Sequence, residues 1–414
     1  MRLFAIVFAV CLPASGATAI RDVTVVDVAS ASLAPHMTVL IEKDRIAAVG
    51  HQVAVPANTR MVIGTGKFLI PGLWDTHVHL GSSQLPMFIA FGVTGVQDMG
   101  SDFERTSARR DAIESGKAIG PHILTAGPPV NGSPSDDDKL PVIVARTPEE
   151  ARKAFDQLWN MDVDFINVLS GLPRDAYFAL AEQARHWHLR LEGPVPTSIT
   201  AQEAMEARQR SLEHLSGVTK AVSGDQEAMD FFEQCAVRGV RITPTLVMWQ
   251  RMTHLHDDAL KSDPRLKYVP ESIRKTWSEW KDDASPELKN QIQGIYRLVE
   301  LSTRTKIQVL AGTDTGDPYT IPGATLHDEL EQLVAAGMSP HQALEAATIN
   351  PARFFEWDEA MGTVEKGKVA DLVMLDANPL DDIRNTRKIR AVFARGRYFS
   401  RRQLDEILAA NERE

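Results

Sequence analysis

Apolar positions change their period twice along the chain. Near its start, residues 23–28 and 38–41 are β-branched runs separated by turn-forming Ser, Ala and Pro, the pattern of short strands. Near its end, residues 362–364, 370–375 and 389–398 repeat that pattern with Gly and Asn-Pro punctuation. Between them the texture differs. Short apolar runs at 72–79, 94–98, 122–126, 165–169, 189–194, 211–214, 241–246 and 307–314 read as strands. They alternate with amphipathic stretches at 103–117, 148–160, 174–187, 201–208 and 226–238, which carry helical apolar spacing and Asp, Ser or Thr near their starts.

Eight strands with crossover helices predict an α/β fold, a parallel (β/α)8 TIM-type barrel over residues 68–355. A doubly wound open sheet is the alternative topology, but no glycine-rich phosphate fingerprint follows the first strand. The strand-like ends, 20–67 and 356–414, are expected to join in one composite β-sandwich domain. Two insertions interrupt the alternation. Residues 128–141 are rich in Gly, Pro, Ser and Asp, and residues 247–300 carry Trp249, Trp277, Trp280 and Tyr296. The second is predicted to be a helical lid over the barrel mouth, its aromatics packing against the barrel.

The first 19 residues fall outside this scheme. Met1 and Arg2 precede an apolar run from Leu3 to Leu12, then Pro13, Ser15, Gly16 and Ala17-Thr18-Ala19. A positive start, a short apolar core and a small-residue site describe a secretory signal peptide cleaved near Ala19, and so a secreted or periplasmic protein. The alternative is a buried first strand. Bulky Val10 before Cys11 argues against lipid attachment, and cleavage leaves Cys235 alone, without an internal disulfide partner.

Composition narrows the ligand. The 414 residues are 43% hydrophobic, and 55 acidic against 45 basic side chains give a net charge of -10. That hydrophobic content argues against disorder, and the acidic balance without a basic run argues against nucleic acid. No stretch is long and apolar enough to span a membrane. A small molecule or dipeptide-like substrate is the expected partner, while oligomeric state stays open.

Three His-X-His triplets occur among 12 histidines: His77 with His79, His186 with His188, and His254 with His256. Position separates them. In a barrel of this type the strand C-termini carry the active site. His77 and His79 end the first barrel strand, where a period of two puts both on one face. His186 and His188 straddle a helix end and a strand start, at the opposite rim; His254 and His256 lie in a polar, helical stretch where a spacing of two diverges. His214 closes a sixth strand and Asp314 an eighth, so His77, His79, His214 and Asp314 are the candidate metal ligands. Nitrogen and oxygen donors suit zinc, manganese or iron. A divalent ion, zinc being the first expectation, would acidify water for hydrolysis. Asp314 and His214 are the candidate catalytic groups; the bland alternative makes Asp314 a helix cap and His214 a satisfied polar residue.

The run Phe68-Leu-Ile-Pro-Gly-Leu-Trp-Asp-Thr-His-Val-His79 resembles the first-strand signature of the amidohydrolase superfamily. Gly92-Val-Thr-Gly-Val-Gln-Asp-Met-Gly100, Ser211-Leu-Glu-His214, Ala311-Gly-Thr-Asp314, Ala346-Ala-Thr-Ile-Asn-Pro-Ala352 and Gly367-Lys-Val-Ala-Asp-Leu-Val373 extend the likeness over nearly the whole chain. It is most similar to the imidazolonepropionase and prolidase-like branch. The resemblance implies a barrel flanked by a composite β domain and metal-supported hydrolysis of amide or other carbon–nitrogen bonds.

Two positions depart from the family. The resemblance would place a metal-bridging carboxylated Lys at Asn167 and a fifth-strand His at Pro194. Asn cannot form a carbamate, and Pro has no side-chain donor. The family arrangement implies that these losses remove one of two metals and leave His77, His79 and Asp314 around a single ion, with His214 free to orient substrate or complete the sphere. Glu192, two residues before Pro194 on the same face and about 7 Å deeper, either supplies replacement coordination or is hydrogen-bonded inside the barrel. Asn167 and Pro194 also support a rival function, a catalytically silent relative that keeps the pocket for binding. Retention of the other four residues favours catalysis.

Overall fold

The computed structural model describes residues 16–81, 84–134, 140–280 and 285–412. Most of the expected signal peptide, residues 1–15, lies outside the described residues. Five strands open the described chain: β1 (Thr18–Asp27), β2 (Ser32–Glu42), β3 (Arg45–Gly50), β4 (Arg60–Ile63) and β5 (Phe68–Pro71). β1 therefore starts two residues ahead of the end of the expected leader, with Thr18 opposite Ile41 and Ala19 opposite Leu40.

The central alternation then begins. β6 (Leu73–Val78), β7 (Val93–Asp98) and β8 (His122–Thr125) form a parallel three-stranded sheet. β9 (Val130–Asn131), within the 128–141 insertion, and β10 (Ile143–Val144), just after it, make a short ladder. β11 (Phe165–Asn167) pairs with β12 (Arg190–Glu192), and β13 (Ser211–Glu213) with β14 (Arg241–Thr243), all parallel. Every residue of β6 and β7 is buried, as expected of parallel strands covered on both faces.

Backbone hydrogen bonds join these pieces. Asp164 N donates to Thr125 O (3.0 Å), and Arg210 N to Leu191 O (2.7 Å). Segment 307–314 bonds on both sides: Leu310 N donates to Ile242 O (2.9 Å) and Thr76 N to Ala311 O (2.9 Å). The eight segments thus follow one another around a closed parallel ring. The eighth differs from the expected regular strand, and the cause is local. Thr313 N is shared between the Asp75 carboxylate (3.0 Å) and His77 O (3.3 Å), and Asp314 sits at a left-handed φ of 57°.

The crossover helices carry the anticipated caps. Asp102 accepts from Arg105 N ahead of helix Phe103–Glu114, Thr147 from Glu150 N ahead of Pro148–Met161, and Thr200 forms a capping box with Glu203 ahead of Ala201–Glu206. Helices Arg174–His186 and Asp225–Arg238 complete the set expected from the pattern.

The described residues between 246 and 302 are mostly helical. Helices Leu246–Met252, Asp258–Lys261, Glu271–Glu279 and Pro286–Ser302 surround a 3-10 turn at Pro264–Tyr268. Leu255, Leu266, Val269 and Trp277 pack on Met87, Tyr319, Ile321 and Ala324 at the strand C-termini. Arg251 and Arg265 pair with Asp328 (2.6 and 2.9 Å), fixing the lid to helix Ala324–Ala335. Among the described residues no helix is long and apolar enough to cross a membrane.

The chain returns through β15 (Leu372–Leu375), β16 (Ile389–Ala394) and β17 (Arg397–Ser400). Both chain ends share one sheet, in the order β17-β16-β15-β5-β1-β2-β3, with β4 also on β1. The sheet curls: Ile46 N bonds Lys368 O (2.9 Å) and Ala370 N bonds Asp44 O (2.8 Å). It wraps a core including Ile20, Val39, Ile41, Leu69, Leu372 and Phe393. Three expectations need correction. The single strand expected at 389–398 is a hairpin turning at Arg395 and Gly396 (φ 48° and 74°), the backbone that type I′ turns require. Residues 362–364 form bends, not a strand. Helix Arg401–Asn411 leaves the sheet, and its Leu404 and Leu408 join the barrel's core cluster.

Close approach fixes one glycine. A Cβ on Gly95 in β7 would lie 2.2 Å from the indole of Trp74, a ring held by Phe355 and Trp357 at centroid distances of 4.9 and 6.0 Å. Gly95→Ala should therefore destabilise the fold by about 1–3 kcal/mol through overpacking. Urea denaturation would measure it, and an unchanged midpoint would show that the ring yields.

Candidate metal centre

β6 puts Asp75 and His77 on one face, and both are buried, at 0% and 2% exposure. His79 lies just beyond the strand, its backbone N–H bonded to Thr315 O (2.7 Å). Asp314 ends the eighth segment, with its N–H on His77 O (2.8 Å). These bonds bring ligand atoms of His77, His79 and Asp314 within 4.8 Å of one another. Asp314 Oδ1 is 3.4 Å from His77 Nε2 and 3.3 Å from His79 Nε2; its Oδ2 is 3.8 Å from His214 Nε2.

The far nitrogen of each imidazole is committed. His79 Nδ1 lies 2.9 Å from Gly100 O, an acceptor that can only receive, so Nδ1 carries the hydrogen. His77 Nδ1 lies 2.7 Å from Glu213 Oε2. His214 Nδ1 lies 2.8 Å from Thr245 Oγ1, whose own hydrogen goes to Pro244 O (2.8 Å). In the neutral rings all three Nε2 atoms then present lone pairs towards the Asp314 carboxylate. Lone pairs facing a carboxylate repel unless a cation lies between them, and this donor set fits a divalent ion with nitrogen and oxygen preferences. Carboxylate or carbonyl partners behind ligating histidines are a recurrent feature of metal sites.

Charge follows the same geometry. Burial disfavours the imidazolium of His77, but Asp314 and Glu213 on either side outweigh it and raise the ring to about 10. Burial and the His77 charge push His214 down to about 4, leaving it neutral. Asp314 pays for burial yet is held well below the usual carboxylate range by His77, His79 and His214. The field that favours a proton on His77 also favours a metal cation, and the two compete.

The departures from the expected ligand set are visible here. Asn167 is buried and its amide NH2 donates to Met99 O, while its Oδ1 has no partner. Pro194 is buried and offers no donor. Glu192 does not reach the cluster. Its carboxylate lies inside the barrel, on Arg190 Nε (2.8 Å), Gln97 Nε2 and Ser211 Oγ (3.4 Å), so of its two sequence readings the hydrogen-bonded one describes it. His186 and His188 lie around the strand starts, at the other rim; His254 Nδ1 bonds Gln250 O on the lid (2.7 Å).

Several contributors were missed by sequence reasoning. Glu213, next to His214, and Asp75, two residues before His77, both had legible signals in position and period. Gly100 O and Thr245 act through loop geometry that no pattern reveals. Trp249 donates its indole N–H to His214 O (3.0 Å), tying the lid's first helix to the site.

Known proteins resemble the chain to different degrees. Residues 68–398 match the profile of the amidohydrolase family. Ochratoxinase of Aspergillus niger is 22% identical over 418 residues, 85% of this chain and 80% of its own. A Bifidobacterium longum structure assigned as a prolidase superposes with a TM-score of 0.78 at 25% identity, covering 96% of this chain and 100% of that one. A Xaa-Pro dipeptidase with methionine in its active site gives 0.74 at 19% identity, over 93% and 100%. The profile spans most of the chain and includes His77, His79, His214 and Asp314, so the chain belongs to the amidohydrolase family.

Proposed function

We propose that the protein is an exported, single-metal amidohydrolase that cleaves a carbon–nitrogen bond in an N-acyl amino acid or dipeptide-like substrate, with zinc at His77, His79 and Asp314. One observation carries the reading: three imidazoles turn Nε2 towards one carboxylate while every Nδ1 is tied behind. The ion would supply a Lewis acid that polarises the scissile carbonyl and acidifies water.

The chain's own groups then divide the work. Asp314 Oδ1, shared by His77 and His79, occupies the ligand side. Its Oδ2 faces His214 and is placed to take a proton from attacking water and pass it to the leaving nitrogen. His214, neutral above pH of about 4, orients the substrate carbonyl or completes the coordination. Asp317, raised to about 7 by burial and by the Asp314 charge, is a further proton carrier beside it. Glu213 fixes the tautomer of His77.

A single ion is supported by what stands at the second position. The Asn167 amide is turned to a backbone carbonyl and Pro194 has no donor. For substrate, the prolidase and Xaa-Pro dipeptidase neighbours and the amino acid held by one of them support a ligand with an amino-acid moiety. Export rests on the leader pattern alone.

Zinc-loaded protein should contain one ion per chain by mass spectrometry of metals, and His79→Ala should contain none. Two ions would overturn the single-metal assignment; no ion under saturating zinc or manganese would favour the silent binding protein. Glu213→Gln should keep the fold, by circular dichroism, and weaken zinc binding about 10–100-fold; equal affinity would remove Glu213 from the site. Expression with the leader should release a periplasmic or secreted chain whose sequenced N-terminus lies near residue 20. Recovery only of full-length chain beginning at Met1 would contradict export.

A further inference from the structure

The opposite end of the barrel holds a second concentration of charge. A cavity of about 500 Å³ opens among the strand N-termini, lined by Arg185, His188, Arg190, Arg208 and Arg210. Arg210 and Arg241 converge beside it: a Cβ placed on Gly239 would lie 3.6 Å from Arg210 Nη2 and 3.5 Å from Arg241 Nη1. Both residues have a buried Nε without any hydrogen-bond partner. Burial, with Arg210 and Arg353 close by, pulls the Arg241 guanidinium down to about 10.

Neutralising groups are few. Asp164 on the cavity wall is already paired with Arg110 (2.8 Å), and Glu192 with Arg190 (2.8 Å). Glu356 is the remaining carboxylate in the lining. Among the described residues Arg185, Arg208, Arg210 and Arg241 have no ion pair. Three helices end here, Arg174–His186, Ala201–Glu206 and Ile349–Phe354. Their C-termini contribute roughly half a negative charge each, which does not cancel the arginines.

The lining is also built at some conformational cost. His188, Arg208 and Glu356 occupy the left-handed positions after those helices (φ 57°, 64° and 61°), where Gly or Asn is the usual residue. Arg190 is held over the rings of Phe354 and Phe355, 5.3 Å from each centroid. Planar forked guanidinium groups, short of acceptors and converging on a cavity, match oxyanions with several acceptor atoms.

We propose that this cavity is a binding site for a small multivalent oxyanion, of phosphate or polycarboxylate type, separate from the metal centre at the other end of the barrel. The test is calorimetric titration of the zinc-loaded protein with inorganic phosphate and, separately, with citrate, at ionic strength matched by chloride. One saturable site per chain is expected. A tighter phosphate or a tighter citrate identifies the type, and either supports the site. Arg210→Gln should weaken binding at least about tenfold. Arg208→Gln, on the exposed rim, should weaken it too and avoids disturbing the interior, while Arg402→Gln on the C-terminal helix should not. Binding must persist in His79→Ala, which separates it from an anion held by a metal. No saturable binding of either anion, equal affinity in both cavity variants, or loss in His79→Ala alone would overturn the site, whatever the outcome at the metal centre.

Discussion

The structure is organised around carboxylates taken out of water along the barrel axis. Asp75, Glu192, Glu213 and Asp314 are all buried. A carboxylate placed there alone would be protonated or would cost several kcal/mol. Each is given partners, although for Asp75, pushed up to about 7, and for Glu192 burial still outweighs them. Thr313 serves Asp75 through N–H and hydroxyl; Arg190 and Gln97 serve Glu192; Ser211, Thr243 and His77 serve Glu213. Asp314 faces three imidazoles, and that makes the top of this column, not its lower part, the candidate metal site.

The column also explains how the sequence could be read. Barrel strands were visible because parallel strands buried on both faces are short, β-branched and apolar, and the helices because their caps are encoded within one turn. The candidate metal ligands were visible as strand-end histidines and aspartate. What remained hidden depends on distant residues meeting. Segment 307–314 looks like a strand, yet the side chain of Asp75, 238 positions away in sequence, competes for the N–H of Thr313. The hairpin at Arg395 was hidden because Arg is a poor indicator of a left-handed turn; Gly396 alone carried the signal. Glu213 was passed over because its neighbour His214 drew attention, although Ser211 and Glu213 share the inward face.

Asn167 and Pro194 acquire a structural meaning beyond the loss of ligands. Asn167 hands its NH2 to Met99 O, bridging β11 to the end of β7, a connection that a lysine could not make while also reaching a metal. Gly193 leaves no room for alternatives, since a Cβ there would fall 2.5 Å from Asn167 Oδ1. Packed backbone and a turned amide therefore meet at this point of the barrel. Glu192 lies deep in the barrel's interior network, where burial raises its carboxyl above the usual range despite Arg190 and Gln97.

The bond from Trp249 to the carbonyl of His214 has a mechanical consequence. Helix Leu246–Met252 starts immediately after Thr245, whose hydroxyl holds the His214 ring, and its first two N–H groups are anchored on Glu329 (3.0 and 2.7 Å). The lid is therefore rooted in the same few residues that set the orientation of a site imidazole. Its root cannot swing aside as a passive gate. Any rearrangement that carried this first helix away would have to break the bonds that hold the His214 ring and carbonyl, so the lid's root and this imidazole are mechanically coupled.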